Sequence, residues 1–242
     1  TLSIFGLCQA LNGEKEAARK TAISLDGIPL NPVAKSLVSI KSTGVARIYT
    51  ALGDYSAALD AIVRYEGSGT MKFAETVTTL IAGFGSGIGG NRLFNFFELP
   101  RYFMKCKLLL ENGNLEDARD GYDALLKLPM IEENGGIYWL ILFDRGRIAE
   151  KDGDVKGAIA FYRRAVDIIE KQRSSINTES SKIGFIGDKQ DVYRHLIDSL
   201  HTDKQISTAF QYVERSKARA LVDLLATQKD FAVQTGDDKQ IR

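Results

Sequence analysis

Two thiols and two imidazoles, Cys8, Cys106, His195 and His201, are the side chains here that could form a nucleophile and its base. Cys106 falls where other helices of the chain carry a small residue at a helix crossing, so its thiol should be buried and inert. His195 and His201 share one predicted helix, and no acidic residue is fixed beside either to orient the ring. Two cysteines are too few for a disulfide framework or a structural zinc site. The expectation is therefore no catalysis, no metal and no cofactor. The thiols suit a reducing compartment, and the cytoplasm is the location expected.

Other patterns invite chemistry and lose it on inspection. The run Gly83-Phe84-Gly85-Ser86-Gly87-Ile88-Gly89-Gly90 has the glycines of a phosphate-binding loop. Such loops follow a strand and open a helix, and P-loops also need Lys-Ser/Thr. This run follows a predicted helix over 71–82 and lacks that lysine, so it reads as a mobile loop. A loop touching a partner or a membrane surface is the alternative. Phe84, Ile88, Phe94, Phe96 and Phe97 would be costly to leave in water. Arg215, Lys217 and Arg219 spread around a helix between Glu214 and Asp223, which makes a solvated face rather than a nucleic-acid patch.

The totals agree. A net charge of +1 exerts no global pull on nucleic acid. With 44% apolar and 26% charged residues, the chain can build a core. No run of about 20 apolar residues is present to span a membrane. Only four prolines interrupt an apolar pattern that is helical almost throughout, so the fold class is all-α. A start at Thr1 without methionine and an end at Arg242 fit a piece of a longer protein.

The elements that position these residues are helical hairpins. Gly153-Asp154 breaks one helix and caps the next, and Ala158, Tyr162 and Ala165 form one stripe of the second helix. Gly146 lies mid-helix, where glycine costs about 1 kcal/mol against alanine. Close approach of the second helix would offset that cost. The same signature recurs: Gly13 leads to Ala18, Gly53 to Ala58 and Gly113 to Ala118, each five residues on, as Gly153 leads to Ala158. A fifth copy has Lys204 in place of the glycine and leads to Ala209. Hairpins are expected near 1–27, 31–66, 92–129, 137–176 and 183–235. An insert of one helix plus the glycine loop occupies 70–91, and 236–242 is a linker or tail. The last helix, uninterrupted from Ile206 to Thr235, would be about 45 Å long at 1.5 Å per residue.

A Gly-Asp turn, a small residue in each helix at the crossing and an aromatic beside it resemble the tetratricopeptide repeat. The resemblance implies an α-solenoid, a right-handed superhelix of about five hairpins over 1–235, acting as a protein-interaction and regulatory scaffold. A narrower likeness lies in Gln190-Asp191-Val192-Tyr193 and in the helix Ala209-Phe210-Gln211-Tyr212-Val213-Glu214-Arg215-Ser216-Lys217-Ala218-Arg219-Ala220-Leu221-Val222-Asp223-Leu224-Leu225-Ala226. These resemble the last repeat before a caspase-like CHAT domain, covering about 137–227. That likeness implies a peptidase-like domain whose catalytic His and Cys lie beyond Arg242.

In such arrays the first helices line the concave groove. One position after the crossing residue gives Arg47, Lys107 and Arg147 in hairpins two, three and four; three before it gives Thr43, Phe103 and Phe143. The same offsets give Leu7 in the first hairpin and Asp198 in the fifth, which confines the ladder to the middle. Arg47, Lys107, Arg147, Phe103 and Phe143 are thus the candidate groove for a carboxylate or an acidic protein segment, in trans or from the same chain. The alternatives are an architectural module packed on its own downstream domain and, less favoured by the Cys/His placement, an enzyme fragment.

Overall fold

The computed structural model describes residues 2–31, 35–64, 98–128, 131–174 and 189–228. The insert over 70–91, the tail over 236–242 and the end of the last helix beyond Gln228 lie outside the described residues. Among those described, there are ten α-helices and one 3-10 turn, Ile131–Glu133, and no strand. The helices pair in chain order as α1 (Leu2–Leu11) with α2 (Lys15–Asp26), α3 (Lys35–Ala51) with α4 (Tyr55–Val63), and α5 (Leu99–Glu111) with α6 (Leu115–Leu126). Then follow α7 (Gly135–Lys151) with α8 (Val155–Ser174), and α9 (Gln190–Thr202) with α10 (Ile206–Gln228). This is the fold of a tetratricopeptide-like repeat solenoid.

Each hairpin turns by one device. Gly153 adopts φ 79°, its N–H donates to the Glu150 carbonyl at 3.0 Å, and the Asp154 N–H donates to the Ala149 carbonyl at 2.9 Å. This pair of bonds satisfies the last carbonyls of α7 and reverses the chain. The Asp154 carboxylate then accepts from the Gly157 N–H at 2.9 Å, capping α8. The same two backbone bonds close the turns at Gly13, Gly53 and Gly113. The fifth turn makes them with Lys204 at φ 60°: Lys204 N–H to the His201 carbonyl at 3.0 Å and Gln205 N–H to the Leu200 carbonyl at 2.9 Å. A lysine is thus held in the left-handed conformation that the repeat demands and that glycine fills at lower cost.

The alanines five residues after each turn, Ala18, Ala58, Ala118, Ala158 and Ala209, are all buried. The chain divides into two compact units, Thr1–Ile137 and Tyr138–Arg242. In the first, Ala10, Ala18, Ala22 and Leu25 of the first hairpin close over Val45 and Ile48 of α3. Ala46, Ala58 and Ile62 join Leu108 of α5. The buried ammonium of Lys41 donates to the carbonyls of Asp26 and Ile28 at 2.9 and 3.1 Å, supplying donors where α2 ends and tying α3 to it. In the second unit, the core gathers Ile141, Leu142, Ile148, Tyr162, Ala165 and Val166 with Val192, Leu196 and Leu200 of α9.

Candidate binding surface

One face of α7 carries Phe143, Gly146, Arg147 and Glu150, at the spacings of three and four that align side chains on a helix. Opposite Gly146 lies the ring of Tyr162 on α8. A Cβ at Gly146 would stand 2.3 Å from Tyr162 Cε1 and 2.6 Å from Cδ1. The glycine therefore makes room for a buried aromatic side chain rather than for a second backbone, a refinement of the expected crossing. Phe143 packs on that ring with centroids 5.8 Å apart, and meets His195 of α9 edge-on at 5.3 Å. Tyr162 and His195 are 5.6 Å apart, which closes a three-ring cluster. Such pairs contribute about 0.5–1.5 kcal/mol beyond their burial.

Glu150 ends this face and binds the next hairpin. Its carboxylate accepts from Ser199 Oγ at 2.8 Å and meets His195 Nδ1 at 2.9 Å. Burial pushes this carboxyl up, but the hydrogen bonds from His195 and Ser199, the nearby Tyr162 phenol and the charge of His195 outweigh burial and hold it below its ordinary range. Tyr162 is shifted upward, first by burial and then by the charge of Glu150. Its hydroxyl is buried and lacks a hydrogen bond of full geometry.

The order of these groups decides their chemistry. In a nucleophilic triad the imidazole stands between hydroxyl and carboxylate and takes the hydroxyl proton. Here the carboxylate stands between the two, so Ser199 gives its hydrogen bond to Glu150 and its oxygen is not activated. The arrangement is a polar clamp between α7 and α9. It corrects one expectation: His195 does have an acidic neighbour, supplied from 45 residues away on another hairpin. His201 is exposed in the last turn of α9, and Cys106 is fully buried, while Cys8 is exposed. Among the described residues, no group of three or more His, Cys, Asp or Glu could hold a metal ion.

The five groove residues fall in both units. Arg47 on α3 and Phe103 and Lys107 on α5 belong to the first, and α3 and α5 are in contact. Phe143 and Arg147 belong to the second. Phe103 leans on Tyr122 of α6 at 6.3 Å, repeating the Phe143–Tyr162 contact one hairpin earlier. The three cations differ in setting. Arg47 is exposed and makes no ion pair among the described residues. Lys107 stands 3.8 Å from Glu111, one turn on. Arg147 Nη1 binds Asp144 Oδ1 at 3.0 Å, and that carboxylate is wholly buried. Asp144 is the partner that helical spacing hid, because i to i+3 pairs are common on solvated helices and only burial distinguishes this one. On α10, Lys217 pairs with Glu214 at 3.5 Å and Arg215 lies over the Tyr212 ring at 5.1 Å, a solvated face with local partners.

Residues 103–173 match the tetratricopeptide repeat family. Among solved structures, the chain is similar to nearly identical TPR-like repeats assigned to a Podosopora anserina kinesin light chain. The identity is 14% and the TM-score 0.56, with 90% of this chain and 93% of that chain covered. At that identity the likeness speaks to the fold. No curated protein matches the chain. Tetratricopeptide repeats generally mediate protein–protein interaction; in this chain the family match covers 103–173, within a tetratricopeptide-like solenoid fold. No helix among the described residues is long and apolar enough to cross a membrane.

Proposed function

We propose that this chain is a protein-interaction and regulatory scaffold whose first helices take an acidic protein segment. Arg47, Lys107 and Arg147 contact its carboxylates, and Phe103 and Phe143 supply apolar contact. The observation that carries the reading is a repeated unit: a phenylalanine held against a second-helix tyrosine, with a cation one turn further on. It occurs as Phe103 with Lys107 and as Phe143 with Arg147. A rigid aromatic platform beside a positive charge suits a short amphipathic acidic segment better than a free ion. Contacts that are partly desolvated are worth about 1.5–3 kcal/mol each. Exposed ones are worth less than about 1 kcal/mol and are screened by salt.

Arg147 already neutralises a buried carboxylate, so the test reverses the other two cations. Acidic peptides and scrambled neutral ones are titrated by fluorescence anisotropy against the wild type and Arg47→Glu/Lys107→Glu. Binding of acidic peptides that falls with salt and is lost in the double variant supports the groove. Equal binding by the variant refutes it and leaves the architectural reading. The resemblance of Ala209–Ala226 to the repeat before a CHAT domain supports a further proposal, that the scaffold regulates a caspase-like peptidase domain in a longer polypeptide. Labelling of the longer protein by a cysteine-peptidase probe tests it, and no labelling beyond Arg242 would remove it. An exposed Cys8 thiol fits a reducing compartment such as the cytoplasm.

A further inference from the structure

Within the second unit, the groove face of α7 continues onto α9. Phe143 of α7 meets His195 of α9 edge-on at 5.3 Å, and Glu150 of α7 reaches His195 and Ser199 at 2.9 and 2.8 Å. These contacts advance along both helices together, so the two run side by side and parallel. One turn beyond Phe143 stands Arg147, and one turn beyond His195 stands Asp198. Both occupy the same repeat position, since each lies six residues before its turn residue, Gly153 or Lys204. A cation on α7 is thus followed by a carboxylate at the same level of α9.

Asp198 is exposed and makes no ion pair among the described residues. Two cations that could have neutralised it are committed elsewhere. Arg194, four residues earlier on α9, binds Asp191 at 2.9 Å. Arg147 gives Nη1, one donor of its guanidinium fork, to the buried Asp144 at 3.0 Å. Glu150, the other carboxylate on this face, accepts from Ser199 at Oε1 and meets His195 at Oε2, so both its oxygens are engaged. The face therefore holds a positive charge on α7 and an unpartnered negative one on α9.

Resting on the acidic groove proposed above, we propose that Asp198 sets its specificity. The bound segment carries a lysine or arginine about three residues from the acidic residue that meets Arg147. Charge complementarity selects this occupant: a uniformly acidic segment would bring a carboxylate against Asp198, and like charges across an interface reject a partner. The spacing follows from the helices. Packed helices lie about 8–10 Å apart. Three residues of an extended, polyproline-II-like segment cover about 9 Å and return side chains to the same side. The acidic residue then lies on α7 and the basic one on α9, so the charge order fixes the direction in which the segment crosses the groove.

Fluorescence anisotropy with fluorescein-labelled peptides tests this on the 242-residue chain. One set carries glutamate and lysine three residues apart, in each order; its controls replace the lysine by glutamine or by glutamate. At low salt the wild type should prefer lysine to glutamate there, in one of the two orders, by about two- to fivefold, the range of an exposed ion pair. Asp198→Asn, close in shape and at an exposed position, should remove the preference. Asp198→Lys should reverse it, and should the lysine lower the helical circular dichroism, Asp198→Asn decides alone. Suppose acidic peptides bind the wild type and are lost from Arg47→Glu/Lys107→Glu. If they then show no preference for lysine, or one that Asp198→Asn leaves intact, this specificity is overturned and the groove stands. No binding of any acidic peptide to the wild type would overturn both the groove and the role of Asp198.

Discussion

Lys204→Gly isolates the cost of the repeat's turn in one substitution. Lys204 is exposed and sits at φ 60°, where glycines hold φ between 76° and 84° in the other four turns. The left-handed conformation costs a residue with a Cβ about 1–2 kcal/mol. Glycine's greater freedom in the unfolded chain takes back about 0.5–1 kcal/mol. The net expectation is a gain of about 0.5–1 kcal/mol, or about 1–4 °C in Tm for a chain of this size. Urea unfolding followed by helical circular dichroism, with thermal melts beside it, reads the effect. Lys204→Ala keeps the Cβ and should change stability by less than about 0.5 kcal/mol. Gly153→Ala, at φ 79°, should lose about 1 kcal/mol or more. If Lys204→Gly destabilised the chain while Gly153→Ala left it unchanged, the turn would not be governed by backbone handedness and the reasoning would fail.

Gly146→Ala forces a Cβ into the Tyr162 ring and should cost about 1–3 kcal/mol; in the Tyr162→Leu background its cost should shrink, which a double-mutant cycle of denaturation free energies measures. Arg147→Glu places a second carboxylate beside the buried Asp144 and should destabilise the second unit by about 3 kcal/mol or more, while Arg47→Glu leaves the melting temperature within about 1 °C. Because the folded-state pKa of Glu150 lies below its unfolded value, its stabilisation is present above about pH 4.5 and is lost as pH falls through the lower folded value. The stability difference between wild type and Glu150→Gln should therefore narrow as pH falls below about 4.5 in acid-titrated urea melts, and a pH-independent difference would refute the linkage.

The hairpins were legible because their turns are local. A glycine, its polar neighbour and an alanine five residues on lie within one stretch, and even Lys204 could be recognised from its flanks. The stripe of Ala158, Tyr162 and Ala165 was readable from helical spacing alone. What filled the space above Gly146 was less so, since a missing Cβ admits either a backbone or a ring. The Glu150–His195–Ser199 clamp is not legible in the sequence, because its partners stand on different hairpins and spacing along one helix carries no information about the next. Asp144 was hidden for another reason: an aspartate three residues before an arginine looks the same whether the pair is solvated or buried.

Hydrogen exchange with a bound acidic peptide tests the central claim most directly. If the first helices form the binding surface, added protection should centre on 43–47, 103–107 and 143–147, on α3, α5 and α7. The second helices α4, α6 and α8 should change little. Protection confined to the second helices, or binding with no protection at those three segments, would contradict the scaffold's proposed mode of recognition.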